Sequence, residues 1–319
     1  MPTDLRLRPA TPADAEAVAA TYRALSRDEG GPPSRFTAAA FRRDGFGAEP
    51  AFRCLLAERD GAVVGYALYY PDYDTDRLVR SVYLADLYVE NTARRRGVGG
   101  ALMAAVARAG RGHGAEAMHW SVMRSNARAR RFYRRYGREL DEILICWTEA
   151  DRLRALAASP KAPGVRIRAA RPTDAPLLAE MLRALVADLG EPPPTEIRQR
   201  LSADGFGDEP AFACLIAERD SEAVGYALAW DAYDTDSCAR GTFLSDLYVA
   251  PRARRAGLGR TLMAAAAGRA LTRGGDFMVW EVLMRNAPAR AFYRPVADEL
   301  DDVIACISGG AGFAALAGD

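Results

Sequence analysis

Two short glycine-bearing stretches carry the clearest chemical signal. Arg94-Arg95-Arg96-Gly97-Val98-Gly99 and Arg254-Arg255-Ala256-Gly257-Leu258-Gly259 each follow a run ending Asp-Leu-Tyr-Val, and each opens a segment with helical spacing. Glycines let the backbone approach a ligand closely, and the free N–H groups and dipole of a helix start favour a phosphate. A single loop of this kind reads more simply as turn glycines. Here the whole constellation recurs, with Asn126…Phe132-Tyr133 after the first loop and Asn286…Phe292-Tyr293 after the second. Asp86 and Asp246 lie just upstream of the loops, and Asp74 and Asp76, with Asp234 and Asp236, form a further acidic cluster. Together these carboxylates suggest a cationic partner held by charge pairing in a partly desolvated groove.

Other chemistries are less well served. Charge is nearly balanced, with 43 basic and 42 acidic side chains and a net charge of +1, so bulk charge favours neither nucleic acid nor a membrane as partner. The basic run Arg128, Arg130, Arg131, Arg134, Arg135 is scattered around its helix by the 3.6-residue period, and reads as a solvated face or a coenzyme-phosphate contact. His113 and His119 lack a second ligand at metal spacing, and none of the five cysteines forms a CxxC pair, so no metal site is expected. No apolar stretch is long enough to span a membrane and the start lacks a secretory leader, which together point to a cytoplasmic protein.

The elements that must position these residues occur twice. A shift of 160 residues carries Asp44-Gly45-Phe46-Gly47 onto Asp204-Gly205-Phe206-Gly207 and Asp86-Leu87-Tyr88-Val89 onto Asp246-Leu247-Tyr248-Val249, without a gap from Arg8/Arg168 to Cys146/Cys306. A period of this size means duplicated domains: 1–158, a Pro- and Gly-bearing linker 159–164, and 165–319. In the first half, strands are expected over Leu5–Arg8, Ala51–Glu58, Val63–Tyr70, Ser81–Val89, Ala117–Val122 and Ile143–Trp147. Asp60-Gly61 is the turn of a hairpin. Helices are expected after Thr11, over Arg96–Arg108 and over Asn126–Tyr136, the last capped by Asn126. This order predicts an α/β (α+β) fold: two tandem domains, each a mixed, mostly antiparallel sheet flanked by helices.

At this point the chain resembles the GCN5-related N-acetyltransferase (GNAT) superfamily, whose pyrophosphate motif Gln/Arg-x-x-Gly-x-Gly/Ala is met by Arg94–Gly99 and Arg254–Gly259. Asp44-Gly45-Phe46-Gly47, Cys54-Leu55-x-Ala57-Glu58, Tyr83-Leu84-x-Asp86, and Met118-His119 through Phe132-Tyr133 narrow the likeness to the diamine (spermidine/spermine) and thialysine acetyltransferases, over nearly all of each half. The resemblance implies direct acetyl transfer from acetyl-coenzyme A to an amine, with no metal. It implies that coenzyme is bound by Leu87, Tyr88, Val89, Arg94, Arg95, Arg96, Gly97, Val98, Gly99, Gly100 and Asn126, and by Leu247, Tyr248, Val249, Arg254, Arg255, Ala256, Gly257, Leu258, Gly259, Arg260 and Asn286. The asparagines read equally as helix caps. A strand bulge near Leu87–Val89 and Leu247–Val249 would present a backbone N–H to the developing oxyanion. Tyr133 and Tyr293 would protonate the departing thiolate, and Asp86 and Asp246 would help bind the amine. Asp74, Asp76, Asp234 and Asp236 would lie at the acceptor mouth, and Asp28 or Glu29, and Asp188, near a further acidic position. The glutamate that deprotonates the amine in diamine acetyltransferases falls at Ala85 and Ser245, so the base is missing from both halves.

The expected acceptor is a small cationic amine, a polyamine or a lysine-like compound. The alternatives are an amine-bearing antibiotic or biosynthetic intermediate, or a non-catalytic acyl-coenzyme-A sensor with one degenerate half. The second half has Ala297 for Gly137, Glu281 for Ser121, and Pro295 for Arg135, where a proline should end or kink the helix carrying Tyr293. The first half is therefore the closer to the family pattern. The fused halves are expected to form an intrachain pseudo-dimer, with a chain monomeric in solution.

Overall fold

The computed structural model describes residues 5–28 and 35–318, with side chains from 5–24 and 35–318; Glu29 and the side chain of Asp28 fall outside the described residues. The first half supplies β1 (Arg6–Pro9), α1 (Ala15–Asp28), α2 (Ala38–Phe46), β2 (Arg53–Arg59), β3 (Ala62–Asp74), β4 (Val79–Val89), α3 (Val98–Arg111), β5 (Ala117–Met123), α4 (Ala127–Tyr133), β6 (Arg138–Glu139), β7 (Ile143–Glu149) and α5 (Ala150–Ala157). The second repeats the order with β8 (Val165–Ala169), α6 (Ala175–Leu189), α7 (Ile197–Phe206), β9 (Ala213–Arg219), β10 (Glu222–Asp234), β11 (Ala239–Val249), α8 (Leu258–Thr272), β12 (Gly275–Leu283), α9 (Ala287–Tyr293), β13 (Asp298–Leu300), β14 (Val303–Gly309) and α10 (Ala311–Ala317). The β2–β3 hairpin turns at Asp60-Gly61 with both residues at positive φ, 52° and 77°, as the two-residue turn requires. Among the described residues no helix is long and apolar enough to cross a membrane.

Two seven-stranded sheets result, ordered β1-β2-β3-β4-β5-β14-β6 and β13-β7-β12-β11-β10-β9-β8. Pairing is antiparallel except for β4 with β5 and β11 with β12. Each sheet therefore contains a strand from the other half. β14 pairs with β5 from Val303↔Met123 to Gly309↔Ala117, and β7 pairs with β12 from Phe277↔Glu149 to Leu283↔Ile143. The helices that follow travel with them. Leu153 and Leu156 of α5 are buried in the core of the second sheet, and Phe313 of α10 in the core of the first. At about 2 kcal/mol for each fully buried aliphatic side chain, Leu144, Leu153 and Leu156 anchor this segment on the second sheet by several kcal/mol.

The hairpin tips cross as well. Tyr73 and Leu78 join a core with Phe212, Tyr226 and Trp230, while Tyr233 and Ala232 join one with Phe36, Phe41 and Phe52. The contacts are reciprocal. Tyr233 Oη donates to Asp44 at 2.8 Å and Tyr73 Oη to Asp204 at 3.1 Å; Arg240 donates to the Glu49 carbonyl and Arg80 to that of Glu209, each at 2.6 Å. Contacts exchanged pairwise in this way are those of an interface built on a two-fold axis. The repeated Asp-Gly-Phe-Gly segment thus holds the two halves together.

Expressed separately, residues 1–158 and 165–319 should each leave the interior edge of β5 or β12 unpaired, and should self-associate or aggregate; mixed, they should form a one-to-one complex. Light scattering on the separated halves tests this, and two soluble monomers with cooperative melting would contradict it.

Candidate active sites

The parallel pairing that joins β4 to β5 is short, running from Ser81↔Ala117 to Leu84↔Trp120. Beyond it β4 bulges at Ala85, because Leu84 pairs with Tyr69 while Asp86 pairs with Leu68. β5 meanwhile continues along β14. The two strands splay and leave a gap. The second half repeats the arrangement, with pairing ending at Phe243↔Val279 and the bulge at Ser245. The bulge expected near Leu87–Val89 thus falls two residues earlier, where the strand leaves its parallel neighbour. The Glu90 N–H donates to the Val64 carbonyl at 2.9 Å, so the alternation of an antiparallel ladder turns the backbone groups of Leu87 and Val89 into the gap. Arg94 Nε takes the Val89 carbonyl at 2.6 Å and Arg254 Nε that of Val249 at 2.9 Å, so the first arginine of each motif pins a strand end to the glycine loop. The Tyr88 and Tyr248 side chains are buried with Tyr66 and Tyr226 in the inter-half cores, and their backbone groups turn towards β3 and β10 rather than into the gap. Asp188 pairs with Arg254 at the second loop.

Gly97 and Gly257, at φ of 82° and 79°, precede α3 and α8, a left-handed conformation that glycine adopts without strain. A Cβ on Gly99 or Gly259 would come within 3.2 Å of Phe132 or Phe292, so glycine here lets α4 and α9 close on the helix start. Val98 and Leu258 are buried beneath, and Arg95, Arg96, Arg254 and Arg255 are exposed, while Ala256 is half-buried. A Cβ on Gly100 would sit 2.3 Å from the Tyr136 hydroxyl, whereas the corresponding second-half residues are Arg260 and Val296. Free N–H groups at a helix start, basic side chains and an open strand edge leading inward fit a pyrophosphate-bearing coenzyme at both gaps. At the second, the linker packs close: the Ala162 N–H donates to Thr261 Oγ1 at 2.9 Å.

Tyr133 and Tyr293 end their helices against Trp120 and Trp280, at centroid distances of 5.4 and 5.2 Å, beside the points where the strands part. Burial raises the Tyr293 phenol above its ordinary pKa, keeping it protonated at neutral pH. Asn126 and Asn286 are engaged as caps, accepting from the N–H groups of Ala129 and Ala289 at 3.0 and 3.2 Å. The kink expected from Pro295 does not arise. α4 ends at Tyr133 without a proline and α9 at Tyr293 with one, so Pro295 lies beyond a helix that has already finished.

The opposite face of each gap is acidic, and its acids come from both halves. Asp246 is buried; it accepts from Tyr226 Oη at 2.8 Å and from Ser245 Oγ at 3.3 Å, and Ser245 meets Thr75 of the other half at 2.7 Å. Burial pushes the Asp246 carboxyl up to about 6, against the pull of the Tyr226 hydrogen bond and with a push from Asp76. At the first gap, Tyr22 lies in the field of Asp86 and donates to Asp236 of the other half at 2.5 Å. Asp76 and Asp236 thus reach the gap of the opposite half. Asp74 and Asp234 serve their own turns instead, accepting from the Arg77 and Ser237 N–H groups at 3.0 and 2.8 Å.

The sequence reading missed a polar network peculiar to the first half. His119 Nδ1 lies 2.5 Å from Asp72 Oδ2, Ser81 Oγ donates to Asp72 at 2.9 Å, and Tyr83 Oη donates to Ser121 at 3.0 Å. The matching second-half residues are Val279, Ala232, Gly241, Phe243 and Glu281, so the signal lay in where the halves differ. Burial works against a charged His119, but the charge and hydrogen bond of Asp72, with Asp74 adding, raise it to about 9.

A sheet split between two parallel strands, with a glycine-started helix at the split, defines an acyl-coenzyme-A-binding fold, and here there are two. The profile of the Acetyltransferase (GNAT) family matches residues 18–137 and 178–296, and the chain belongs to that family. It is 36% identical over 106 residues to thialysine N-epsilon-acetyltransferase of Bos taurus, a match covering 31% of this chain and 62% of that protein, which is less than two thirds of its length. To the Mus musculus protein of the same name it is 34% identical over 138 residues, covering 40% of this chain and 81% of the relative. Among solved structures, a GCN5-related N-acetyltransferase from Sphaerobacter thermophilus superposes with a TM-score of 0.53 at 22% identity, covering 97% of this chain and 96% of the other. A tandem GNAT protein from the clavulanic acid biosynthesis pathway superposes at 0.52 and 18%, covering 96% and 98%. Both share the fold over nearly the whole chain.

The raised His119 pKa stabilises the folded chain fully below about pH 6.5 and ceases to do so as pH rises through about 9. The stability difference between wild type and His119→Gln, measured by urea unfolding, should therefore shrink by up to about 3 kcal/mol across that interval and be flat below it. A pH-independent difference would show that the fold leaves the imidazole titrating as it does in the unfolded chain.

Proposed function

We propose that the chain is an acetyl-coenzyme-A-dependent N-acetyltransferase acting on a small cationic amine, a polyamine or a lysine-like compound. The observation that supports this most is the acidic face of both gaps, where Asp86 with Asp236 and Asp246 with Asp76 converge from opposite halves. A multiply charged amine gains most from carboxylates that are already partly desolvated. Acetyl-coenzyme A supplies the thioester. The gap-facing N–H groups of Leu87 or Leu247 are placed to donate to the acyl oxygen as it gains charge. Tyr133 and Tyr293 hold the proton that the thiolate requires. The two halves act as an intrachain pseudo-dimer within a chain that is monomeric in solution.

An amine-bearing antibiotic or biosynthetic intermediate is the second reading. It is favoured by Ala85 and Ser245, which leave the family's usual base position without a carboxylate and suit an amine of lower pKa.

Titration with coenzyme A should give two sites per chain; one site would exclude coenzyme binding by both halves. Thiol release with spermidine, spermine, putrescine, lysine, thialysine and aminoglycosides tests the acceptor. Tyr133→Phe and Tyr293→Phe should each remove part of the turnover, and the double variant should lose about 100-fold or more. Turnover unchanged in the double variant would remove the tyrosines from the mechanism, and coenzyme binding without turnover of any amine would favour a sensor.

A further inference from the structure

We infer that Glu281 is the proton acceptor for the amine at the second half's gap, a role that rests on the acetyltransferase reading and names the base which that reading lacks. The argument is one of position. Met278, Trp280 and Val282 point into the core beneath α8, so Val279 and Glu281 point to the opposite, inter-half face. Pairing between β11 and β12 ends at Phe243↔Val279, which makes Glu281 the first side chain of β12 on that face beyond the last pair, at the mouth of the gap. Tyr293 packs on Trp280, on the other face of the same strand. A proton acceptor and a proton donor thus flank the gap from opposite sides, as attack by an amine and departure of a thiol require.

Glu281 is also free to act. It keeps solvent-accessible surface, and among the described residues it has no hydrogen-bond or ion-pair partner. The other carboxylate of this half's gap, Asp246, is committed to Tyr226 and Ser245. Its repeat counterpart, Ser121, carries no charge and is held by Tyr83. The charged and titratable groups facing Glu281 are His119 on β5, Asp72 and Asp74 on β3, Asp76 beyond it, and the Tyr83 phenol on β4. Although the residue is exposed overall, desolvation of its carboxyl by the surrounding protein is the largest push, raising it to about 7; His119 pulls down, while Asp72, Asp76 and Asp74 add to the rise. A base near 7 is half deprotonated at neutral pH yet strong enough to take a proton.

Two protons leave the acceptor nitrogen. One passes through Glu281 to solvent. The other is taken by Glu281, deprotonated again once the first has passed to solvent, as the N–C bond forms and the C–S bond breaks; the thiolate takes the Tyr293 proton, and solvent returns one to the phenolate, so that one proton is released per transfer. The substrate cation is therefore deprotonated by a residue of the second half in a setting built largely by the first.

The test uses the full chain with Tyr133→Phe, so that turnover reports the second half. Glu281→Gln should lower kcat/KM at pH 7 by about 100-fold and abolish its rise with pH through about 7, while Glu281→Asp keeps part of both and coenzyme A affinity is unchanged. A profile and rate equal to the parent's would overturn the assignment. A second readout is independent of turnover: calorimetry of 1,5-diaminopentane binding to the coenzyme A complex in two buffers of different ionisation enthalpy. At pH 7 the parent should release a fraction of a proton, up to about one half, as the bound cation displaces it from Glu281, and Glu281→Gln should bind about tenfold more weakly without that release. Equal proton release by both proteins would overturn the role of Glu281 even if no amine turns over, an outcome that by itself would refute only the acetyltransferase reading.

Discussion

The exchange of β7 and β14 between the two sheets is the constraint on which the rest depends. β5 can leave β4 after Trp120 only because another strand waits to pair with it, and that strand comes from the far end of the chain. Without it, the backbone of Ser121–Met123 would lose its ladder, and opening the gap would cost several unmade hydrogen bonds. The same holds for β12 and β7. The gap is thus stabilised in trans. Each half completes the sheet that holds the other's gap, and the two gaps form or fail together with the inter-half core.

The crossing hairpin tips turn this mechanical coupling into a chemical one. Tyr73 and Tyr233 reach Asp204 and Asp44 and bury their rings beside Phe212 and Phe52, at centroid distances of 4.9 Å in both cases. Once those rings are seated, the following residues have little freedom. Thr75 then meets Ser245 and Asp236 meets Tyr22. The acids that reach each gap from the other half are therefore delivered by packing of aromatic residues several positions away, and changes in that packing would alter charge placement without touching a charged group.

Most of the local structure was legible. The loop glycines, the Asn caps, the Asp60-Gly61 turn and the strand alternation all work over a few residues, so the sequence contains their causes. The exchange was not legible, because Ile143-Leu144-Ile145-Cys146 and Val303-Ile304-Ala305-Cys306 are interchangeable as buried strands and nothing local says which sheet either will join. The bulge was displaced for a related reason: its place depends on where β4 and β5 part, a property of two distant segments. α2 and α5 escaped notice because both are short, and α5 is held by tertiary burial of Leu153 and Leu156 more than by its own pattern. Asp74 and Asp76 read as one cluster, although the turn between them sends one to its own loop and the other across the interface.

Fusion also explains why the halves are unlike. In a dimer of identical chains any substitution enters both sites, so a change that suits one acceptor face must be tolerated at the other. In a single chain the two faces vary independently. The substitutions come in sets: Gly100 and the Tyr136 that lies over it become Arg260 and Val296, and the polar group Asp72, Ser81, His119 becomes Ala232, Gly241, Val279. The second set is replaced as a whole, which is what the cost of a half-satisfied buried network demands. Tyr83 with Ser121 likewise becomes Phe243 with Glu281, trading a hydroxyl pair for an unpaired carboxylate. One face is thereby neutral and internally bonded at that position, and the other charged and open. Such divergence is expected of two gaps that are free to vary separately while sharing one core.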